Sequence, residues 1–218
     1  MKSKNVVIRT VMIAFMMVLA LAAATSAQAN NLFGIDVSSF QGSVNWSSVH
    51  ANGADFAFCK ATEGNYYHDA YYTANMNNGK AAGMKMGAYD FGRPDQNCAS
   101  TEANYFWSFA GSKIVADGKT IFPVIDFEVF NGHACQASYT TWINAWGGYV
   151  EGKTSAHMHP IVYASAGTGM CDLTTACTLE AWVANYNGEN LYTGHPWSCC
   201  SSTTCFLMRS ASSIPLHW

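Results

Sequence analysis

Between residues 32 and 186, six apolar runs of strand length alternate with segments of helical spacing, and this alternation leaves few folds open. The runs span 32–37, 56–60, 84–91, 121–127, 160–164 and 181–186, and the helical segments span 46–51, 70–82, 100–110 and 139–153. Strands alternating with helices build βαβ units around a parallel sheet. Near-continuous apolar runs such as Phe56-Ala57-Phe58-Cys59 fit a sheet covered on both faces. Polar residues gather where the runs end: Asp36, Glu63, Asp90, Asp126 with Glu128, Tyr163 and Asn185. In a parallel barrel those ends form one face, and sites on such barrels are assembled there from several strands. A doubly wound open sheet also places ligands at the carboxyl ends of its strands. It is the weaker fit, because no Gly-x-Gly-x-x-Gly follows the first run.

The segment ahead of this pattern has a different character. Lys2, Lys4 and Arg9 precede the apolar stretch 11–24, which ends in Ala27-Gln28-Ala29. This reads as a secretory signal peptide over 1–29, its apolar core being shorter than the ~20 residues of a spanning helix, so stable membrane insertion is not expected. The expected location is therefore extracellular. The whole chain carries 11 basic and 14 acidic residues, a net charge of −3. The three basic residues of 1–29 have no acidic counterpart there, so the remainder is more acidic still. Nucleic acid is an unsuitable partner for such a chain, since phosphate binding needs basic patches. An anionic partner would likewise have to be held by short-range contacts in a cleft, for which 11 Tyr, seven Trp and 12 Phe are available. All eight cysteines lie after residue 29, where export permits disulfides. Cys98 and Cys135 each follow a strand end and are expected partners, the spacing of Cys171 and Cys177 would close a small loop, and Cys59, inside an apolar run, is expected to be a buried thiol.

The run 121–127 and its flank bear the sharpest chemical signal. Asp126 and Glu128 are two residues apart, and side chains at i and i+2 of a strand share a face about 6–7 Å apart. Two close carboxyls resist ionising together, so one keeps its proton to higher pH. Glycoside hydrolysis uses that arrangement, with an acid for the leaving oxygen and a second carboxylate for charge, water or neighbouring-group positioning. Metal binding or a solvated strand end would account for an isolated Asp-x-Glu equally well. The acid at Asp36 and the convergence of strand ends favour the hydrolytic reading.

Several ordered motifs add a resemblance. Gly34-Ile35-Asp36-Val37-Ser38-Ser39-Phe40-Gln41-Gly42, then Trp46, then Phe56-Ala57-Phe58-Cys59-Lys60-Ala61-Thr62-Glu63-Gly64 resemble the N-terminal half of glycoside hydrolase family 25 muramidases, the Chalaropsis-type lysozymes. The stretches 80–94, 123–128, 160–165 and 182–186 continue the match in order, so that it covers about residues 33–190. The resemblance implies an irregular TIM-like β/α barrel in one domain over 30–197, acting as a monomer, without metal or cofactor. Its partner would be the glycan strands of peptidoglycan, cleaved at the β-1,4 bond after N-acetylmuramic acid. Position by position, Glu128 resembles the proton donor, Asp126 the neighbour that orients the substrate's N-acetyl group, and Asp36 the first-strand acid. Glu63, Tyr89, Asp90, Tyr163, Trp182 and Asn185 fall near the same strand ends and are expected to line the sugar cleft.

Two departures from the family pattern stand out. Asp90 occupies the place where many members carry His after Gly-Ala-Tyr. After Trp197 the family's aromatic strands and its final Val-Asp-x-Asn are replaced by a Ser/Thr/Cys-rich tail, 198–218, with no acidic residue after Glu189. From this the barrel is expected to be incomplete at its C-terminal strands and the chain weakly active or inactive. The rival readings are a non-catalytic wall-binding protein and a barrel chitinase. His157 and His159 lack a further ligand cluster, and Cys199, Cys200 and Cys205 fit disulfide chemistry better than zinc.

Overall fold

The structure, a computed structural model, describes residues 32–154, 158–165, 168–174 and 176–184. The segment 1–29, Asn185 and the tail 198–218 lie outside the described residues. Seven strands form one sheet: β1 (Gly34–Val37), β2 (Phe56–Glu63), β3 (Tyr67–His68), β4 (Lys85–Phe91), β5 (Val124–Asp126), β6 (Ile161–Ser165) and β7 (Glu180–Ala184). The helices between them are α1 (Trp46–Ala51), α2 (Tyr72–Ala81), α3 (Ala99–Ala110), α4 (Tyr139–Glu151) and the single turn α5 (Gly169–Asp172). The strand order is β1-β2-β4-β5-β6-β7, all parallel, with β3 pairing antiparallel on β2.

Each expected strand is present, and the boundaries differ for physical reasons. β5 is shorter than the expected run 121–127, because Pro123 has no N–H to donate. Thr120 instead forms an isolated bridge to Met86, and pairing with β6 starts where Ile161 donates to the Pro123 carbonyl. β2 runs on to Glu63 through a bulge: Lys60 pairs Tyr89, but Thr62, not Ala61, pairs Asp90. Two helix starts are written into the chain, at Asn45, whose side chain accepts from the Ser48 N–H, and at Ser138, which forms a capping box with Thr141.

The sheet is curled. Phe58 on β2 and Trp182 on β7 lie four strands apart in the sheet order, about 19 Å in a flat sheet, yet their ring centroids are 4.9 Å apart. The concave face holds a small cluster of Phe58, Ile121 and Val124, with Phe56, Tyr89, Ile161, Tyr163 and Trp182 packed on it. Gly87 makes this possible, since a Cβ there would meet the Phe58 ring at 2.4 Å. The convex face carries the main core, in which Val37, Cys59, Met86, Ala88, Ile125, Val162 and Ala164 pack against helices bearing Tyr72, Met76, Phe106, Trp142, Ile143 and Trp146. Strand residues thus alternate between the two faces, as the pleat requires.

β1 and β7 do not pair among the described residues, so the observed architecture is a half-barrel of mixed α/β class rather than a closed barrel. Cys98 and Cys135 are disulfide-bonded as expected, with Cα atoms 5.2 Å apart, and Cys59 is a buried thiol. The small loop between Cys171 and Cys177 is not closed: Cys177 is a buried thiol. Among the described residues no helix is long and apolar enough to cross a membrane.

Candidate active site

The parallel strands all end on one side of the curl, and a cleft of about 350 Å³ opens there. Because Asp36, Asp126 and Glu128 share parity on their strands with the concave-face residues, all three reach it. Tyr89, Phe91, Tyr163 and Trp182 supply aromatic walls, and Ser38, Phe40 and Gln41 come from the turn after β1. Tyr163 and Trp182 pack edge to face, with centroids 4.7 Å apart.

The three carboxyls differ in surroundings. Asp36 and Glu128 are exposed, whereas Asp126 is half-buried and its Oδ1 is withdrawn from solvent with no hydrogen-bond partner among the described residues. Burial raises the Asp126 carboxyl well above the ordinary range, and the charge of Glu128 raises it further, while Lys60 pulls the other way. Burial also raises Glu128, followed by the charge of Asp36, and burial raises Asp36 itself. The trio therefore retains proton at a pH where separate carboxyls would be ionised. Burial and the charge of Asp126 push the Tyr89 hydroxyl up as well, so it stays neutral.

Glu128 stands just past β5 on a segment that is tied at several points. The Phe127 N–H donates to the Tyr163 carbonyl at 2.8 Å, Ala134 N–H to the Pro94 carbonyl at 2.6 Å, and Gly132 N–H to the Tyr139 hydroxyl at 2.9 Å. Phe127 is fully buried against Phe130 and Tyr139, and the Cys98–Cys135 bridge fixes the far end of the segment to the start of α3.

Lys60 escaped the sequence reading, although it shares parity with Phe58 and pairs Tyr89. It is the one cation lining the cleft among the described residues. Its Nζ donates to Glu63 at 2.8 Å and lies 4.8 Å from the centroid of the Phe91 ring. Glu63 itself does not line the cleft. Burial works against its charge, but hydrogen bonds from Lys60 and Tyr66 and the charges of Lys60 and Arg93 hold its carboxyl below the ordinary value. Arg93 is in turn gripped by Asp95 through two 3.0 Å bonds.

Asp90 does not reach the cleft either, and the expectation of a sugar contact there is corrected. Its neighbours Tyr89 and Phe91 face inward, so alternation turns Asp90 to the convex side, where it is fully buried. There it accepts from Thr62 Oγ1 at 2.6 Å and from Trp146 Nε1 at 3.0 Å. Burial raises its carboxyl far above the ordinary value, reinforced by nearby Glu102. Glu102, equally buried, accepts from the Arg93 N–H and from Asn97 Nδ2, both at 2.8 Å, and burial pushes it up to about 7. Among the described residues no group of three or more His, Cys, Asp or Glu is arranged to hold a metal.

A half-barrel with a carboxylate trio and aromatic walls at its strand ends is the form of a carbohydrate-processing α/β domain. The chain belongs to glycosyl hydrolases family 25, whose pattern it matches over residues 35–202. It is 38% identical over 145 residues to Lysozyme M1 of Streptomyces globisporus, covering 64% of this chain and 48% of that protein. With the N,O-diacetylmuramidase of Chalaropsis sp it shares 30% identity over 140 residues, 61% of this chain and 65% of that protein. The chain thus spans about half to two thirds of these curated relatives. Among solved structures, the bacterial lysozyme from Streptomyces coelicolor superposes with a TM-score of 0.60 at 33% identity, covering 78% of this chain and 82% of that one. A family GH25 lysozyme from Aspergillus fumigatus gives 0.57 at 26% identity, with coverage of 80% and 83%.

Proposed function

We propose that this protein is a secreted muramidase that hydrolyses the β-1,4 bond after N-acetylmuramic acid in peptidoglycan, with Glu128 as general acid and Asp126 and Asp36 assisting. The observation that carries this reading is the Asp126 carboxyl, with an Oδ1 that has no partner among the described residues beside a cleft it shares with two further acids. A buried acceptor without a donor is costly, and the amide N–H of a substrate acetamido group is a donor of the right kind. Accepting it would hold the acetamido oxygen toward the anomeric carbon while Glu128, the exposed member of the pair, protonates the leaving glycosidic oxygen. Charge developing on the sugar is then stabilised by Asp36 and by whichever member of the trio has lost its proton. Water, giving up a proton to the Glu128 carboxylate as it attacks the anomeric carbon, displaces the acetamido oxygen and completes the hydrolysis. Lys60 limits the repulsion at Asp126, and Tyr89, Tyr163 and Trp182 offer apolar faces to the sugar rings.

The same reading makes the half-barrel the described part of an irregular β/α barrel acting as a monomer. Export through 1–29 is supported by the Cys98–Cys135 bridge, which needs an oxidising compartment. The test is digestion of purified cell walls followed by mass spectrometry of the fragments. Muramic acid at the new reducing ends is the expected result; N-acetylglucosamine there, or cleavage of chitin in place of wall, assigns the cleft to another glycosidase. Wall binding without any cleavage leaves a non-catalytic binding protein.

A further inference from the structure

The turn after β1 displays an aromatic side chain in a way that folding does not require. Phe40 is 94% exposed, whereas the other exposed large hydrophobic side chains among the described residues lie between 36% and 52%. The turn beneath it is rigid. Ser38 and Gln41 cap its single 3-10 turn reciprocally, Asp69 accepts from the Ser39 N–H at 2.7 Å, and the Ser39 and Tyr67 hydroxyls are bonded at 3.0 Å. Asp69 is itself buried and also accepts from the Tyr71 N–H. Strand β3, which carries Tyr67, thereby buttresses the turn from the side. Gln41 spends its side-chain oxygen on the Ser38 N–H, so the apolar ring is the feature the turn offers outward.

Phe40 also lines the same cleft as the three carboxyls. We propose that Phe40 is a saccharide-stacking platform at the rim, extending the cleft by a sugar beyond those held at the carboxyls. The proposal rests on the muramidase reading above. An internal bond of a polymer has sugars on both sides of it, and a net charge of −3 offers an anionic wall no long-range attraction, so grip must come from contacts along the strand. A hexopyranose presents a face of C–H groups that suits an aromatic ring, and because the turn beneath the ring is already held, only the torsions of the Phe40 side chain lose freedom when a sugar covers it.

The test uses the full chain with Glu128→Gln, which keeps the glycan intact, titrated calorimetrically with peptide-free glycan of eight sugars and with the disaccharide. Adding Phe40→Ala is expected to weaken the octasaccharide about tenfold, the scale of one aromatic contact, and the disaccharide less than threefold. Phe40→Trp should restore the long glycan, and the melting temperature should stay within about 1 °C because the ring packs on nothing. Equal affinity for the octasaccharide with and without the ring overturns the platform, as does equal weakening for both lengths, which would place Phe40 at the central sugars. If the Glu128→Gln protein binds neither glycan, the muramidase reading fails and the platform with it; retained octasaccharide binding with no Phe40 effect overturns the platform alone.

Discussion

Asp90 and Asp126 lie on adjacent strands, one register step apart, since Asp90 pairs Ile125 and Phe91 pairs Asp126. Burial raises both carboxyls well above the ordinary range. Their surroundings are otherwise opposite. On the convex side Asp90 has a donor for each oxygen, Thr62 and Trp146, and sits inside the sheet–helix core. On the concave side Asp126 has an oxygen with no donor among the described residues and looks into an open cleft. The contrast separates two uses of a buried acid. One is complete without a ligand and joins a strand to a helix; the other keeps an oxygen without a donor among the described residues, the place where the proposed substrate contact falls. A raised pKa alone does not distinguish them, whereas a census of hydrogen-bond partners does.

The comparison breaks most easily at Glu128. Its conversion to Gln keeps the shape but removes the proton, and should lower release of reducing ends from purified wall by about 10²–10⁴-fold with an unchanged melting curve. Near-parental hydrolysis would strip the concave face of its catalytic role. The next largest effect is expected on the other face. Asp90→Ala leaves the Trp146 indole N–H and the Thr62 hydroxyl without their acceptor in the core, at a cost of about 3 kcal/mol, or roughly 6–12 °C in melting temperature. Activity per folded molecule should survive. Asp126→Asn should do the reverse, losing hydrolysis while melting close to the parent, and a pair of variants that behave alike would erase the distinction.

The smallest effect is in pH. A carboxyl raised by folding binds its proton more tightly in the native state, so its contribution is fully present below the unfolded value of 4.5 and is lost as pH rises through the folded value. With Glu102 pushed up to about 7 and Asp90 raised beside it, the melting temperature should decline between pH 4.5 and 7.5. Glu102→Gln should make that decline shallower, as read by calorimetry across the window. The remainder belongs to Asp90 and to the cleft carboxyls Asp36, Asp126 and Glu128, which folding raises in the same sense. The carboxylates lowered by their partners, Glu63, Asp95 and Asp117, act with opposite sign and at more acid pH, outside this interval. An unchanged slope in the variant would mean that the buried convex pair does not hold a proton.

Most of this frame was legible from continuous apolar runs alternating with segments of helical spacing, because a parallel sheet covered on both faces needs apolar residues on both. The Asp126/Glu128 spacing brought both residues to one cleft because residues two apart share a face of a strand, and Tyr89, Tyr163 and Trp182 followed. Asp90 was misread by grouping strand-end polar residues without regard to parity; its adjacency to Tyr89 already required one of the two to face away. β3 escaped because two residues carry no periodicity, and with it the support of the Phe40 turn. The pairing of Lys60 with Glu63 was illegible for a different reason. In a regular strand, residues three apart point to opposite faces, so no pattern rule brings them together.

That pairing survives the extra residue Ala61 because the ladder bulges there. The extra residue in β2 sends Ala61 into the convex core and frees Thr62 to turn the same way toward Asp90, after which Glu63 returns to the side of Lys60. A methyl side chain with no chemistry of its own thus acts as a change of phase, and what it transmits is order in the chain rather than contact in space. Removing this one small residue would return β2 to a regular strand in which Lys60 still faces inward, Thr62 still faces outward toward Asp90 and Glu63 still faces inward. The convex acid's hydroxyl donor and the cleft cation's counter-ion would both survive, and one core methyl would be lost. At this point of the strand the architecture can lose a residue and keep its assignments, which is the property of an insertion that the ladder has looped around.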